Sequence, residues 1–135
     1  MIDAAVPPTT RATSRPLGPR VLAVVFALLA CNAWAQVVLV PFGLADDPPA
    51  LTALQGLVGA TAAAAARGSW RLARWAPAAA VAHALATVGM LLALGPLLDL
   101  PAESVGGIRV GAGVLLALGL CAAWYLRRVI RRAPR

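Results

Sequence analysis

The chain has 135 residues, of which 61% are hydrophobic and 13% are charged, and its formal net charge is +7. This excludes an ordinary soluble domain, in which about a quarter of the residues are charged. All 12 basic residues are arginines, and they lie beside apolar stretches, where they orient helices and meet lipid headgroups. We therefore expect a lipid bilayer, and not nucleic acid, as the partner of this charge. Arginine without lysine, together with abundant alanine, is typical of a GC-rich bacterial genome.

The first apolar stretch, residues 21–40, predicts a membrane-spanning helix of about 30 Å, the thickness of the hydrocarbon core. Residues 1–20 have four prolines and no apolar periodicity, which predicts a flexible tail on the membrane surface. A cleaved signal is the alternative, because residues 28–31 resemble a lipoprotein lipidation site ending at a cysteine and residues 33–35 resemble a signal-peptidase site. We favour a retained helix, since the apolar part of a signal is only about 7–15 residues long.

Residues 41–49 predict a turn, because prolines stop helices on both sides of it. Residues 50–66 then predict a second spanning helix, whose many alanines suit the inside of a bundle better than a lipid-facing position. Gly56, Ala60 and Ala64 recur every four residues along it. This spacing of small residues predicts close packing against another helix.

Two further spanning helices are predicted at residues 76–95 and 110–126. The basic loop 67–75 precedes the first of them, and the acidic connection 96–108 precedes the second. Residues 127–135 carry five arginines and predict a basic tail.

Other small and aromatic residues mark helix contacts and membrane interfaces. Gly107 and Gly111 form a glycine pair of the spacing found where membrane helices pack closely. Aromatic side chains beside the arginines are predicted to anchor the helices in the headgroup layer: Trp70, Trp75, Trp124 and Tyr125.

The whole pattern predicts an all-α fold, an up-down antiparallel bundle of four transmembrane helices over residues 21–126. Both tails and the central loop then share one side, which has Asp3 as its one acid and collects Arg11, Arg15, Arg20, Arg67, Arg71, Arg74, Arg127, Arg128, Arg131, Arg132 and Arg135. The other side carries Asp46, Asp47, Asp99, Glu103 and Arg109. By the positive-inside rule, both termini are expected in the cytoplasm of a bacterial inner membrane.

Several classes of small membrane protein are disfavoured by missing residues. The four predicted spans contain no Asp or Glu, whereas small multidrug transporters use a glutamate in the first helix. Quinone-linked disulfide reductases need a C-x-x-C pair, and four-helix haem proteins usually present two histidines; this chain has neither. The chain resembles small four-helix bacterial membrane proteins in overall pattern, and that resemblance assigns no functional residue.

His83 and the two cysteines are the remaining candidates for redox or metal chemistry. One histidine and one cysteine at similar depth are too few ligands for a closed metal site, so we expect no metal and no cofactor. Cys31 and Cys121 differ in depth by about 7 Å, which favours free thiols over a disulfide. We expect a neutral His83 hydrogen-bonded across helices, with Thr87 four positions away on the same face.

A set of polar residues near the acidic side is the best candidate binding cluster: Asn32, Gln36, Thr52, Gln55 and Arg109. Polar groups inside a membrane are expensive, so function concentrates on them. The simpler interpretation is amide hydrogen bonding between helices, with Arg109 reaching the interface or pairing with Glu103. The functional alternative is an outward-facing pocket for a solute, a lipid headgroup or a quinone.

No catalytic residue is identified, so we do not expect an enzyme. The first hypothesis is a non-enzymatic accessory or assembly subunit, or a homo-oligomer, that acts through association of helices with another membrane protein or itself. The second is a small carrier or channel built on the polar cluster.

Overall fold

The computed structural model describes residues 16–43 and 47–132, and within them the chain forms four α-helices and one short 3₁₀ helix. The α-helices are α1 (Leu17–Leu39), α2 (Pro49–Arg71), α3 (Ala76–Leu97) and α4 (Ala102–Arg132). Each is long and apolar enough to cross a membrane. The predicted all-α fold is confirmed, and the chain is a multi-pass membrane protein.

Helix α1 begins before its apolar stretch does. Leu17 opens the helix and Pro19 lies in its first turn, where the missing backbone N–H of proline leaves no hydrogen bond unmade. Residues 17–20 are therefore helical, although the sequence predicted a flexible tail through residue 20; residues 1–15 lie outside the described part of the chain. The 3₁₀ helix Val40–Phe42 follows α1, and Gly43, with φ of 66°, ends it.

Helices α2 and α3 both continue past their predicted ends. Helix α2 includes the first arginines of the predicted basic loop and runs to Arg71, because charged side chains leave the membrane without interrupting the backbone hydrogen bonds. Left-handed Leu72 then ends the helix, and the Ala73 N–H donates to the Gly68 carbonyl at 2.9 Å. Asp99, also left-handed, ends α3 in the same way, with the Leu100 N–H donating to the Gly95 carbonyl at 3.0 Å.

Helix α4 is the longest element and departs most from the prediction. It has 31 residues, about 46 Å at the usual rise, whereas the sequence predicted residues 110–126. The connection 96–108 is helical from Ala102, and the predicted tail is helical to Arg132. Hydropathy marks the part of a helix that lies in lipid, and nothing at either end of that part breaks α4.

The helices pack antiparallel in chain order. Trp34 of α1 lies against Gly59 of α2, where an added Cβ would be 2.8 Å from the indole nitrogen. Between α3 and α4, Gly95 faces Val105, and Gly119 faces Ala84 so closely that any Cβ would overlap with it. Interfaces join α1 to α2, α2 to α3 and α3 to α4, whereas α1 and α4 share no extended interface in the described part of the chain.

The core lies toward one end of the bundle. Phe26, Ala65, Ala76, Ala80, Ala123 and Leu126 form one buried cluster to which all four helices contribute. At the same end Gly18 lies against Tyr125 with no room for a Cβ, so the start of α1 is close to the last turns of α4. We call this the basic end, since it carries Arg20, Arg67, Arg71, Arg74, Arg127, Arg128, Arg131 and Arg132, and we call the opposite end, with Asp47, Asp99, Glu103 and Arg109, the acidic end.

Candidate functional site

His83 is the most enclosed polar side chain on α3, with 7% of its surface exposed. Its ring meets Phe26 of α1 edge to face, with ring centroids 5.5 Å apart and planes at 89°. Its Nδ1 lies 3.4 Å from Oγ1 of Thr61 on α2. Three helices thus converge on this imidazole.

The hydroxyl of Thr61 is the polar group of α2 that contacts His83. Thr61 Oγ1 donates to the carbonyls of Leu57 and Val58, at 2.9 and 3.0 Å, so its hydrogen is committed to its own helix. The Thr61 oxygen keeps lone pairs that a protonated Nδ1 would reach at 3.4 Å, so the contact joins α2 to α3. The hydroxyl of Thr87, suggested by the sequence as a neighbour, donates instead to the His83 carbonyl at 2.9 Å. The contact across helices is with Thr61, which no pattern in the sequence pointed to.

The predicted polar cluster is spread over the bundle. Asn32 and Gln36 of α1 are exposed, so both amides face away from the packed interior. Gln55 of α2 is half-buried, and Arg109 lies on α4 beside α3. Since α1 and α4 share no extended interface within residues 16–43 and 47–132, the described structure does not enclose these side chains in one cavity.

The side chains of Gln55 and Thr52 form hydrogen bonds with residues just before the start of α2. Nε2 of Gln55 donates to Oδ2 of Asp47 at 3.2 Å, and the Thr52 hydroxyl donates to the Pro48 carbonyl at 3.4 Å. The Gln55 Oε1 is buried without a partner among the described residues. These contacts tie the turn before α2 to its first two turns, a structural role; Asp46 of the same turn lies outside the described residues.

Arg109 belongs to a different cavity at the acidic end, between α3 and α4. This cavity, of about 520 Å³, is also lined by Asp99, Gly95 and Val105. The predicted partner Glu103 is six positions away on α4, which is on another face of a helix. Asp99, and not Glu103, is the acidic residue that shares the cavity with Arg109.

The predicted small-residue stripes do not form the packing contacts within the chain. Ala60, Gly107 and Gly111 are exposed, and Gly56 and Ala64 are half-buried. An added Cβ at any of the three glycines would meet nothing within 4 Å. The neighbouring face of α2, with Val58, Gly59, Ala62, Ala65, Gly68 and Ser69, is the buried one.

The aromatic residues of the basic end are arranged as interface anchors would be. Trp70, Trp75 and Trp124 have 55%, 46% and 63% of their surface exposed, despite their size. The guanidinium of Arg128 lies over the Trp124 ring at 5.4 Å from its centroid. That they lie in the headgroup layer stays a prediction.

Metal and thiol chemistry gain no support from the described geometry. Cys31 and Cys121 are exposed and free, and within residues 16–43 and 47–132 no three His, Cys, Asp or Glu side chains are grouped as metal ligands. Searches with this chain match no protein-family model, no curated protein and no solved structure.

Proposed function

We propose that this chain is a non-enzymatic membrane subunit that works by helix association, with another membrane protein or with a second copy of itself. The proposal rests chiefly on the free glycine face of α4. Gly107 and Gly111 are exposed, and a Cβ added to either would meet nothing within 4 Å in the part of the chain that the structure describes. Glycine inside a helix is less favourable than alanine by about 1 kcal/mol, so these glycines are explained by a partner that approaches the backbone closely.

The exposure of α4 supports the same proposal. Only 6% of its most apolar stretch is buried within the chain, against 28% for α2. Lipid alone covers such a surface, so the exposure of α4 does not by itself indicate a protein partner. The glycines form a shallow face that fits the backbone of another helix, and contact with lipid does not require such a face.

A tagged preparation with matched glycine variants tests the proposal. The protein is purified in mild detergent through a C-terminal tag, and its mass and co-purifying proteins are measured. We expect a stoichiometric partner or a homo-oligomer, lost in Gly107→Leu/Gly111→Leu. Gly89→Leu is the control, since Gly89 is also exposed with open space around its Cα, and it should keep the assembly.

Two results would contradict association through α4. A strictly monomeric wild-type protein without a partner would remove the proposal. An assembly that survives in Gly107→Leu/Gly111→Leu would place the contact on another helix.

The orientation of the subunit is part of the proposal: a bacterial inner membrane, with the basic end and both termini in the cytoplasm. The described arginines gather at one end of the bundle, apart from Arg109. Arginine-rich connections are retained on the cytoplasmic side during insertion. Arg11, Arg15 and Arg135, which the sequence assigns to the same side, lie outside the described residues.

The carrier hypothesis has less support. It required the polar cluster to share one surface, and Arg109 lies in a cavity with residues of α3 and α4 while Asn32 and Gln36 are exposed on α1. No further observation favours transport over association.

A further inference from the structure

A groove runs between α1 and α2 at the basic end of the bundle. It has a volume of about 280 Å³. Helix α1 contributes Ala23, Val24 and Ala27, and helix α2 contributes Ala66, Arg67, Trp70 and Arg71. Because the groove belongs to neither α4 nor the polar cluster, its role is separate from the proposed association.

The floor of the groove is apolar and shallow. Ala23 and Ala27 are one turn apart on α1, and Ala66 faces them from α2. Alanine methyl groups leave a furrow between the two helices, and exposed Val24 and Ala27 keep it open to the lipid side. A furrow of this kind accommodates one hydrocarbon chain.

Two guanidinium groups stand at the mouth of the groove. Arg67 and Arg71 are four positions apart near the end of α2, hence on one face, and both are exposed. The same two arginines also line an adjoining cavity of about 730 Å³ with Ala63, Ala64 and Trp75. Neither set of lining residues contains a carboxylate. The positive charge at this mouth is therefore not neutralised by the residues that form it.

The order of chemical groups along the groove is that of a phospholipid. Arg71, Trp70 and Arg67 lie in the last turns of α2, at the mouth of the groove, and the alanine floor continues toward Ala27, about 15 Å along α1 from Leu17. Arginine binds phosphate oxygens through paired N–H groups, tryptophan suits the glycerol level, and methyl groups suit an acyl chain. Basic pockets between membrane helices hold anionic headgroups.

We propose that this groove binds one anionic phospholipid, with its phosphate between Arg67 and Arg71 and one acyl chain along Ala23, Ala27 and Ala66. The net negative charge of the headgroup selects it. A zwitterionic choline headgroup would bring a second cation against the two arginines.

The test is lipid binding to the full chain in dodecyl maltoside, followed by native mass spectrometry. Palmitoyl-oleoyl phosphatidylglycerol, the matching phosphatidylcholine and inorganic phosphate are titrated separately. We expect one tightly held phosphatidylglycerol, with phosphatidylcholine and free phosphate bound at least about tenfold more weakly.

Three variants separate the groove from general surface charge. Arg67→Gln/Arg71→Gln should weaken phosphatidylglycerol binding about tenfold or more. Ala27→Phe should weaken it without any change of charge, because Ala27 is exposed and a phenyl ring fills the furrow. Arg131→Gln/Arg132→Gln removes the same number of charges at the end of α4 and should leave the binding unchanged.

The proposal is overturned by any of three outcomes: equal retention of the two lipids, equal losses in both arginine double variants, or displacement of phosphatidylglycerol by an equal concentration of inorganic phosphate. The first two would indicate diffuse attraction, and the third a simple anion site. If Gly107→Leu/Gly111→Leu loses its partner but still binds phosphatidylglycerol, the association through α4 and the lipid site between α1 and α2 are independent of each other.

Discussion

His83 is the residue at which α1, α2 and α3 are joined by something more specific than apolar contact. Its Nδ1 lies 3.4 Å from the Thr61 oxygen and its ring lies against Phe26. Inside a membrane the loss of such a bond is limited by the partners that the separated helices find, so one contact contributes about 0.6 kcal/mol. The contact is therefore specific in its geometry but small in its contribution to stability.

We predict that Thr61→Val destabilises the fold by about 0.6 kcal/mol, because it removes the hydroxyl that contacts His83 Nδ1. Thr87→Val is the matched control, since the Thr87 hydroxyl bonds only a carbonyl of its own helix among the described residues. Unfolding by sodium dodecyl sulfate in mixed micelles, followed by tryptophan fluorescence, measures both. A double-mutant cycle between Thr61→Val and His83→Leu should show coupling of the same size; independent effects would contradict the hydrogen bond.

The sequence identified His83 but not its partner, for a reason of geometry. Residues four apart on one helix are visible as neighbours in the sequence, which is why Thr87 was suggested. A partner on another helix depends on the register between helices, and the register of α2 against α3 follows from contacts such as Gly68 on Ala76. No periodicity of α3 alone contains that information.

At the scale of the element, α3 and α4 are held together by close contact of small residues. Gly119 faces Ala84 without room for a Cβ, while Gly95 faces Val105 nearer the acidic end. Membrane helices gain little from burying apolar surface against each other, and close packing is their main source of association energy. The approach at Gly119 is thus an important contact of this interface.

Gly119→Ala is predicted to destabilise the protein by about 1–3 kcal/mol, because the new methyl group overlaps with Ala84 and separates the two helices. Gly113→Ala makes the same chemical change on the same helix at a position where an added Cβ meets nothing within 4 Å, so it should be neutral or slightly stabilising. Thermal unfolding in detergent compares the two. Equal midpoints would mean that α3 and α4 do not touch at Gly119.

Helix existence was predictable here, but helix ends and helix faces were not. Apolar length located all four helices, because a spanning segment must satisfy its own backbone hydrogen bonds. The same signal missed both ends of α4, which stay helical outside the apolar stretch. The spacing of small residues indicated Ala60 as a packing residue, whereas Ala60 is exposed and Ala62 is buried. Lipid and protein interior are equally apolar, so the sequence does not distinguish one face of the helix from the other.

On the scale of the whole molecule, charge is divided between the two ends of the bundle. The proposed orientation places the basic end in the cytoplasm. Ser104 and Arg132 are exposed at opposite ends of α4, and therefore they report the two sides of the membrane with a single helix between them.

Labelling with a membrane-impermeant maleimide tests this orientation in a Cys31→Ala/Cys121→Ala background. We expect Ser104→Cys to react in intact spheroplasts and Arg132→Cys to react only after permeabilisation, because the arginine-rich end is retained inside. The reverse pattern would show that the basic end lies outside the cytoplasm, which contradicts the proposed orientation. Reaction of both sites in intact cells would indicate two orientations in one membrane.

The packing of each helix against its predecessor has a consequence for how the molecule is made. Within residues 16–43 and 47–132, every extended interface joins consecutive helices, so the average sequence separation of contacts is small, a property that accompanies rapid folding. Each helix that enters the bilayer during synthesis finds its partner already in place. The contact between Gly18 and Tyr125 joins the first helix to the one that is synthesised last, so it requires all four helices to be in the membrane before the bundle closes.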